Sequence, residues 1–146
     1  MRRWTRWTGI MASALTRVYV HVVWTTHRRR FRFAESLRQP LESTLREKCL
    51  ELGCTPMAIG VAPDHVHILL RLHPALSIAK LVGQLKGASA YLLCGSPSWP
   101  TGFRWQDGYA AFSVAPSGLA VARAYVLHQW EKHTSSGGSP RVASGR

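Results

Sequence analysis

Residues 55–72 read TPMAIGVAPDHVHILLRL, and this stretch decides the fold. Thr55 to Val61 and His65 to Leu72 are two short runs of strand-forming residues, and Ala62, Pro63 and Asp64 between them suit a tight turn. Strands joined so closely pair as an antiparallel hairpin. In the second strand, His65-Val66-His67 sets two imidazoles on one face, about 7 Å apart along the chain. Val66 and Ile68 point the other way, into a core. The histidines are expected to point off the sheet, so that truncating either leaves no core cavity.

Upstream, Arg17 to Thr26 (RVYVHVVWTT) is a strand of β-branched and aromatic residues, followed by a basic turn, HRRRFRF. Leu37, Leu41, Leu45, Cys49 and Leu52 then recur at helical spacing, and Gly53 ends that helix. Pro40 is expected in the first helical turn, or at the helix start. Downstream, Ser77 can cap a second helix with an apolar stripe of Ile78, Leu81, Val82, Leu85, Ala88 and Leu92. A Pro/Ser/Gly loop covers Gly95 to Gly102. Phe103 to Val114 holds a fourth strand, interrupted near Asp107-Gly108, and Pro116-Ser117 opens a third helix running to about His133.

The order βαββαβ, followed by α, is that of an α+β fold: a ferredoxin-like antiparallel sheet with two helices on one face and an added C-terminal helix. The domain is expected over residues 17–133, after a flexible basic extension (1–16) and before a disordered tail (134–146). Met11 is an alternative start for the chain.

The chain has 146 residues, enough for one core, and 19 Lys and Arg against 7 Asp and Glu give a formal charge of +12. Such an excess calls for a polyanionic partner, nucleic acid ahead of an anionic membrane surface. No apolar run is long enough to span a membrane. Cys49, Cys54 and Cys94 are odd in number and lack CxxC spacing, which fits reduced cytoplasmic thiols better than a disulfide framework or a zinc knuckle.

In the third helix, Leu119, Ala122, Val126 and Trp130 form a buried stripe, while Tyr125 and Gln129 lie one turn apart on a neighbouring face. Two neutral imidazoles at HxH spacing can hold one divalent ion, and an amide oxygen such as that of Gln129 is a hard third donor suited to Mg²⁺ or Mn²⁺. Tyr125 offers a phenolic oxygen as a covalent nucleophile. Taken alone, an HxH pair is as easily a solvated strand face, and Tyr125 a tyrosine half-packed on the sheet.

Four segments together carry more: PDHVHILL at 63–70, LVGQLKGASAYLL at 81–93, FRWQDGYAAFSV at 103–114 and AYVLHQ at 124–129. With the opening VYVHVVWTTHRRR, they resemble the single-tyrosine HUH transposases of the insertion-sequence-200/605 type, over about Arg17 to His133. The resemblance implies a ferredoxin-like homodimer, with active sites shared between subunits, that binds single-stranded DNA hairpins at element ends. It implies that His65, His67 and Gln129 hold the metal, Mg²⁺ or Mn²⁺, and that Tyr125 attacks the scissile phosphate. A covalent 5′-phosphotyrosine, a free 3′-hydroxyl and religation follow from it, in a bacterial or archaeal cytoplasm near the nucleoid. Two positions depart from the family pattern: His128 stands where Asn usually precedes the glutamine, and Trp130-Glu131 where a carboxylate often follows it.

The chemistry is coherent in itself. A tyrosine phenol is almost wholly protonated at neutral pH, so metal, basic surroundings or a nearby base must assist it; His128 is one candidate base, although it lies about 100° around the helix from Gln129. A covalent intermediate conserves the phosphodiester's energy, and the sequence accordingly lacks a GxxxxGK[ST] nucleotide loop. Arg28, Arg29, Arg30, Arg32, Lys80 and Lys86 are the expected phosphate contacts. Trp24, Trp99, Trp105 and Tyr109 could stack bases, although each tryptophan suits a core better. His21, His27, His73 and His133 carry no spacing argument and read as structural or surface residues, and Asp64 reads as a turn residue. Two rival readings remain open: a metal-dependent phosphoesterase that does not need Tyr125, and a non-catalytic hairpin-binding protein derived from a transposase.

Overall fold

The structure, a computed structural model, describes residues 15–95 and 102–135. Most of the expected N-terminal extension, most of the tail and Trp99 lie outside these residues.

Four strands form one sheet: β1 (Tyr19–Thr25), β2 (Thr55–Ala62), β3 (His65–Arg71) and β4 (Ala110–Val114). Their order is β2-β3-β1-β4, with every neighbouring pair antiparallel. With α1 (Glu35–Glu51) and α2 (Ile78–Cys94) at the two crossovers, this is the ferredoxin-like arrangement expected from the element order. The β2–β3 connection is the two-residue turn Pro63-Asp64. The lead-in to β4 is tied to the end of β1 by a bridge between Trp105 and Thr26, then turns at Gly108, whose φ of +86° favours glycine.

Alternation in β1 and β3 sorts the two faces. Val20, Val22, Trp24, Val66, Ile68 and Leu70 are buried in one cluster with Leu37, Leu41 and Leu45 of α1 and Leu81, Val82 and Leu85 of α2. Trp24 and Trp105 meet edge-on within that cluster, as core residues rather than base-stacking platforms.

Two sequence expectations change here. Pro40 sits within α1, beyond its first turn. It is exposed, so the carbonyl left without a helical donor faces the solvent side of the helix, where water can serve it. The α2 stripe ends on Ser89 and Leu93 rather than Ala88 and Leu92. Ser89 is drawn inward because its hydroxyl donates to the Leu85 carbonyl (2.7 Å) and accepts from the Trp105 indole N–H (3.1 Å). The Ser77 cap forms as expected, accepting from the Lys80 N–H at 3.1 Å.

The expected third helix is not continuous. A 3₁₀ turn over Pro116–Gly118 leads into α3 (Leu119–Leu127), the chain kinks at His128, and α4 (Gln129–Ser135) resumes. α3 packs on the face of the sheet opposite α1 and α2: Val126 is buried with Ala58 of β2 and Leu69 of β3, and Leu119 and Ala122 pack beside them, whereas Trp130 of α4, expected in the same stripe, packs against the α1–α2 core. Arg123 donates to the Met57 carbonyl (3.3 Å), and the Arg38 guanidinium lies over Trp130 (5.5 Å to the ring centroid) and 3.6 Å from Glu131.

Candidate active site

His65 and His67 occupy alternate positions of β3, so both leave the sheet on the side taken by α3 and α4. They are not solvated there. His65 is 4% exposed and His67 6%, because the C-terminal helices close over them. The expectation that truncating either would leave no cavity is therefore overturned: the sequence identified the face but not its cover.

The approach of the helices depends on Gly60, the cross-strand partner of His67. A Cβ at Gly60 would lie 1.9 Å from the Val126 carbonyl oxygen and 3.2 Å from Cγ of Gln129. Only a residue without a side chain admits the helix backbone at that distance. Gln129 is thereby fully buried over Gly60, at the first position of α4.

Each histidine of the pair has its Nδ1 engaged. His65 Nδ1 is 2.7 Å from the Asp64 carboxylate, and His67 Nδ1 is 2.8 Å from His21 Nε2. The Gln129 amide donates to the Tyr125 carbonyl (2.8 Å), and its oxygen lies 3.1 Å from His133 Nε2. The His133 ring in turn meets the His65 ring edge-on at 4.7 Å. Tyr125 completes the group: its ring meets His67 edge-on at 5.6 Å and His21 at 6.0 Å, with the Lys132 ammonium 4.8 Å from its centroid. Tyr125 is 45% exposed, so it forms the outer surface of a site whose floor is buried.

Burial governs the electrostatics. It pushes His67 down to about 2, helped by the neighbouring His65, His21, His133 and Lys132. Burial also lowers His21 and, with His65 and Lys132, His133. Burial would raise the Asp64 carboxyl, but its hydrogen bond to and electrostatic interaction with His65, and the charges of Arg29 and Arg32, together hold it below the usual carboxylate range.

The donor set fits a divalent ion. With both Nδ1 atoms tied to protein partners, each ring of the pair keeps Nε2 for a ligand, and burial holds His67 in the neutral form a metal requires. Among the described residues no three His, Cys, Asp or Glu side chains converge as a metal site. Gln129, seated over Gly60, the cross-strand partner of His67, carries an amide oxygen that keeps a second lone pair beside its contact to His133.

Of the expected phosphate contacts, Arg28, Arg29, Arg30 and Arg32 follow β1 next to this site. Arg28 and Arg29 both have positive φ (52° and 55°), and the loop is pinned by a bond from the Thr26 N–H to the Asp64 carbonyl (2.9 Å) and one from the Arg28 N–H to the Gln106 side chain (3.0 Å). Lys80 is exposed on the first turn of α2, away from the histidine face. Lys86 is instead half-buried and engaged within the fold. Its ammonium donates to the carbonyls of Gln106 (2.8 Å) and Gly108 (2.6 Å), bracing the lead-in to β4. His128 is exposed at the kink. The residues missed in the sequence are His21 and His133. Alternation along β1 does place His21 on the histidine face, and His133 lies one helical turn after Gln129, so both signals were present.

Known proteins agree with this architecture. The family described as "Transposase IS200 like" matches residues 14–129. The chain is 29% identical over 118 residues to the ISDra2 transposase TnpA of Deinococcus radiodurans, covering 77% of this chain and 84% of that one. It is also 29% identical over 117 residues to the transposase for insertion sequence element IS200 of Salmonella typhimurium, covering 77% and 76%. In three dimensions it is similar to a REP-associated tyrosine transposase solved with a REP hairpin, with a TM-score of 0.64 and 14% identity over 87% of this chain and 74% of that one. At that identity the likeness speaks for the fold, whereas the family match spans most of the sequence: the chain belongs to the IS200-like transposase family.

Proposed function

We propose that this transposase cleaves and rejoins single-stranded DNA beside hairpins, with Tyr125 as nucleophile and His65, His67 and Gln129 holding Mg²⁺ or Mn²⁺. One observation carries the reading: a tyrosine from the last helices rests, half exposed, directly against His67 of the buried β3 pair. A divalent ion, when bound, withdraws charge from a phosphate and orients it for in-line attack. The Tyr125 oxygen forms a bond to phosphorus as the bond from phosphorus to the 3′ oxygen breaks. The phenolic proton passes to solvent, and the departing 3′ oxygen takes up a proton. The product is a 5′-phosphotyrosine and a free 3′-hydroxyl, and the reverse reaction rejoins strands without ATP. The arginines after β1 supply positive charge for the strand, and Asp64 holds the His65 ring. The relative solved with a REP hairpin supports a hairpin as the bound form of DNA.

The same reading includes a homodimer with shared sites. α3 is seated mainly through Val126 on Ala58 and Leu69 and through the Gly60 notch, a small contact that an identical helix from a second copy can make equally well.

The test is incubation with a hairpin-bearing single strand, labelled on the 3′ side of the expected cleavage point, with Mg²⁺ or Mn²⁺, followed by denaturing electrophoresis. A labelled protein–DNA adduct is expected. Cleavage with no adduct at any time would favour a phosphoesterase, and tight binding with no cleavage in either metal would favour a non-catalytic hairpin-binding protein.

A further inference from the structure

The proposed metal set does not explain His21. It sits in the middle of β1, and its strand neighbours Val20 and Val22 are core residues. Its own side chain leaves on the opposite face, where a hydrophobic residue would be the simple choice beside Phe112 (6.1 Å). Instead it carries an imidazole that meets the His67 ring edge to edge, with centroids 5.0 Å apart and planes 25° from parallel. The two residues are not register partners: His67 pairs with Val23, and His21 with Leu69. They are diagonal neighbours, a spacing that aromatic rings can bridge.

We infer that His21 is a positioning residue, which accepts the His67 Nδ1–H at its own Nε2 and thereby fixes the His67 ring with Nε2 free for a metal. The inference rests on the metal set proposed above. The geometry supports it in two ways. The 2.8 Å separation requires one proton shared between the two nitrogens. If His67 provides it, His67 Nε2 keeps its lone pair, and the His21 proton lies on its own Nδ1. The ring planes lie only 25° apart with their nitrogens facing edge to edge, the in-plane alignment that an N–H···N bond needs, so His67 cannot rotate without losing the bond. His21 does for His67 what Asp64 does for His65, but with a neutral acceptor instead of a carboxylate. The pair of ligands is thus supported from two different strands and turns. His21 also touches Tyr125, so the residue that orients the ligand borders the proposed nucleophile.

Two measurements test this. The first is calorimetric titration of the DNA-free protein with Mn²⁺, comparing wild type, His21→Leu, His21→Gln and His67→Ala, with circular dichroism confirming that each is folded. His21→Leu removes the acceptor and is expected to weaken Mn²⁺ binding about 10- to 100-fold, the usual effect of losing a partner behind a metal-bound histidine. His21→Gln retains an acceptor at the ε position and is expected to recover most of that loss. Unchanged affinity in His21→Leu, with binding lost in His67→Ala, overturns the role of His21 alone. Unchanged affinity in both overturns the metal set and the inference with it. Equal loss in the Leu and Gln variants overturns it in favour of simple packing. The second measurement is a long-range ¹⁵N–¹H correlation on the metal-free wild type. The His67 proton is expected on Nδ1, and a proton on Nε2 overturns the inference whatever the calorimetry gives.

Discussion

Gly60 lies directly beneath the Val126 carbonyl, so close that a Cβ there would come within 1.9 Å of the oxygen. This contact joins the middle of the β2–β3 hairpin to the end of α3, and beside it Tyr125 meets His67 while Gln129 is buried over Gly60. Neither partner can yield easily, because one is a strand backbone and the other a helix backbone.

Gly60→Ala is accordingly expected to lift α3 and α4 from the sheet while leaving the core between sheet and α1–α2 intact. A loss of about 1–3 kcal/mol is expected, as for other overpacked sites. Hydrogen exchange should rise over 119–135 but not over α1. Unchanged exchange in that segment would mean the helices are seated by something other than this notch.

Tyr125→Phe should abolish the covalent adduct and strand cleavage while leaving hairpin affinity within about twofold. Only the hydroxyl is lost, from a half-exposed ring that keeps its contacts to His21 and His67. Stability should change by no more than about 0.5 kcal/mol, the range of ordinary surface substitutions. Any adduct formed by the Phe variant would move the nucleophile elsewhere.

Gln129→Ala should cost both stability and metal affinity. The side chain is fully buried, and removing it strips the Tyr125 carbonyl of a donor and His133 of a partner. About 1–3 kcal/mol is expected for groups left unpaired. Denaturant titration without metal isolates this cost. A variant as stable as wild type would show that the kink at His128 is held without Gln129.

In the absence of metal, the protein should lose stability on acidification below about pH 6.5. The folded-state value of His67 is about 2, against 6.5 for an ordinary imidazole. Between those values the unfolded chain binds the extra proton, so stability rises with pH there and falls as pH drops through 6.5. About 1 kcal/mol should be gone at pH 5.5 from His67 alone. His21 and His133 are also lowered and act with the same sign. Urea midpoints at pH 7.5 and 5.5 measure this, and His67→Gln should flatten the difference.

If sites are shared between subunits, mixing Tyr125→Phe with His67→Ala should restore cleavage. A mixed dimer then has one site with both intact histidines and an intact tyrosine. With random exchange, activity should reach at most about a quarter of wild type, since half the dimers are mixed and each has one good site. Co-purification through a tag on one variant establishes that mixed dimers formed, and no rescue in that fraction would assign each site to a single chain.

Much of the architecture was legible because it is written in local patterns. The strand alternation, the Pro63-Asp64 turn and the Ser77 cap each involve residues a few positions apart. What was hidden depends on distant partners. The break at His128 has no Gly or Pro to announce it; it coincides with the Val126 carbonyl meeting Gly60 and the Gln129 amide turning back to Tyr125. Ser89 displaced Ala88 in the buried stripe because an indole N–H sixteen residues away needed an acceptor. The burial of His65 and His67 was unreadable for the same reason, since their cover comes from the far end of the chain. The roles of His21 and His133 needed the assembled rings, not spacing along one element.

The Pro63-Asp64 turn has a consequence for how this chain can vary. Asp64 serves at once as one of two residues closing a hairpin and as the hydrogen-bond partner of the very next side chain. The Thr26 N–H also bonds to its carbonyl, and the Phe33 N–H bonds to that of Pro63 (2.6 Å). Loop length and ligand orientation are therefore a single property here. Hairpin tips are commonly where proteins accept inserted residues, epitope tags or grafted loops. In this molecule even one added residue would move a carboxylate off its imidazole and loosen the arginine-rich segment at the same stroke. Variation in length should instead collect in connections that touch neither face of the site.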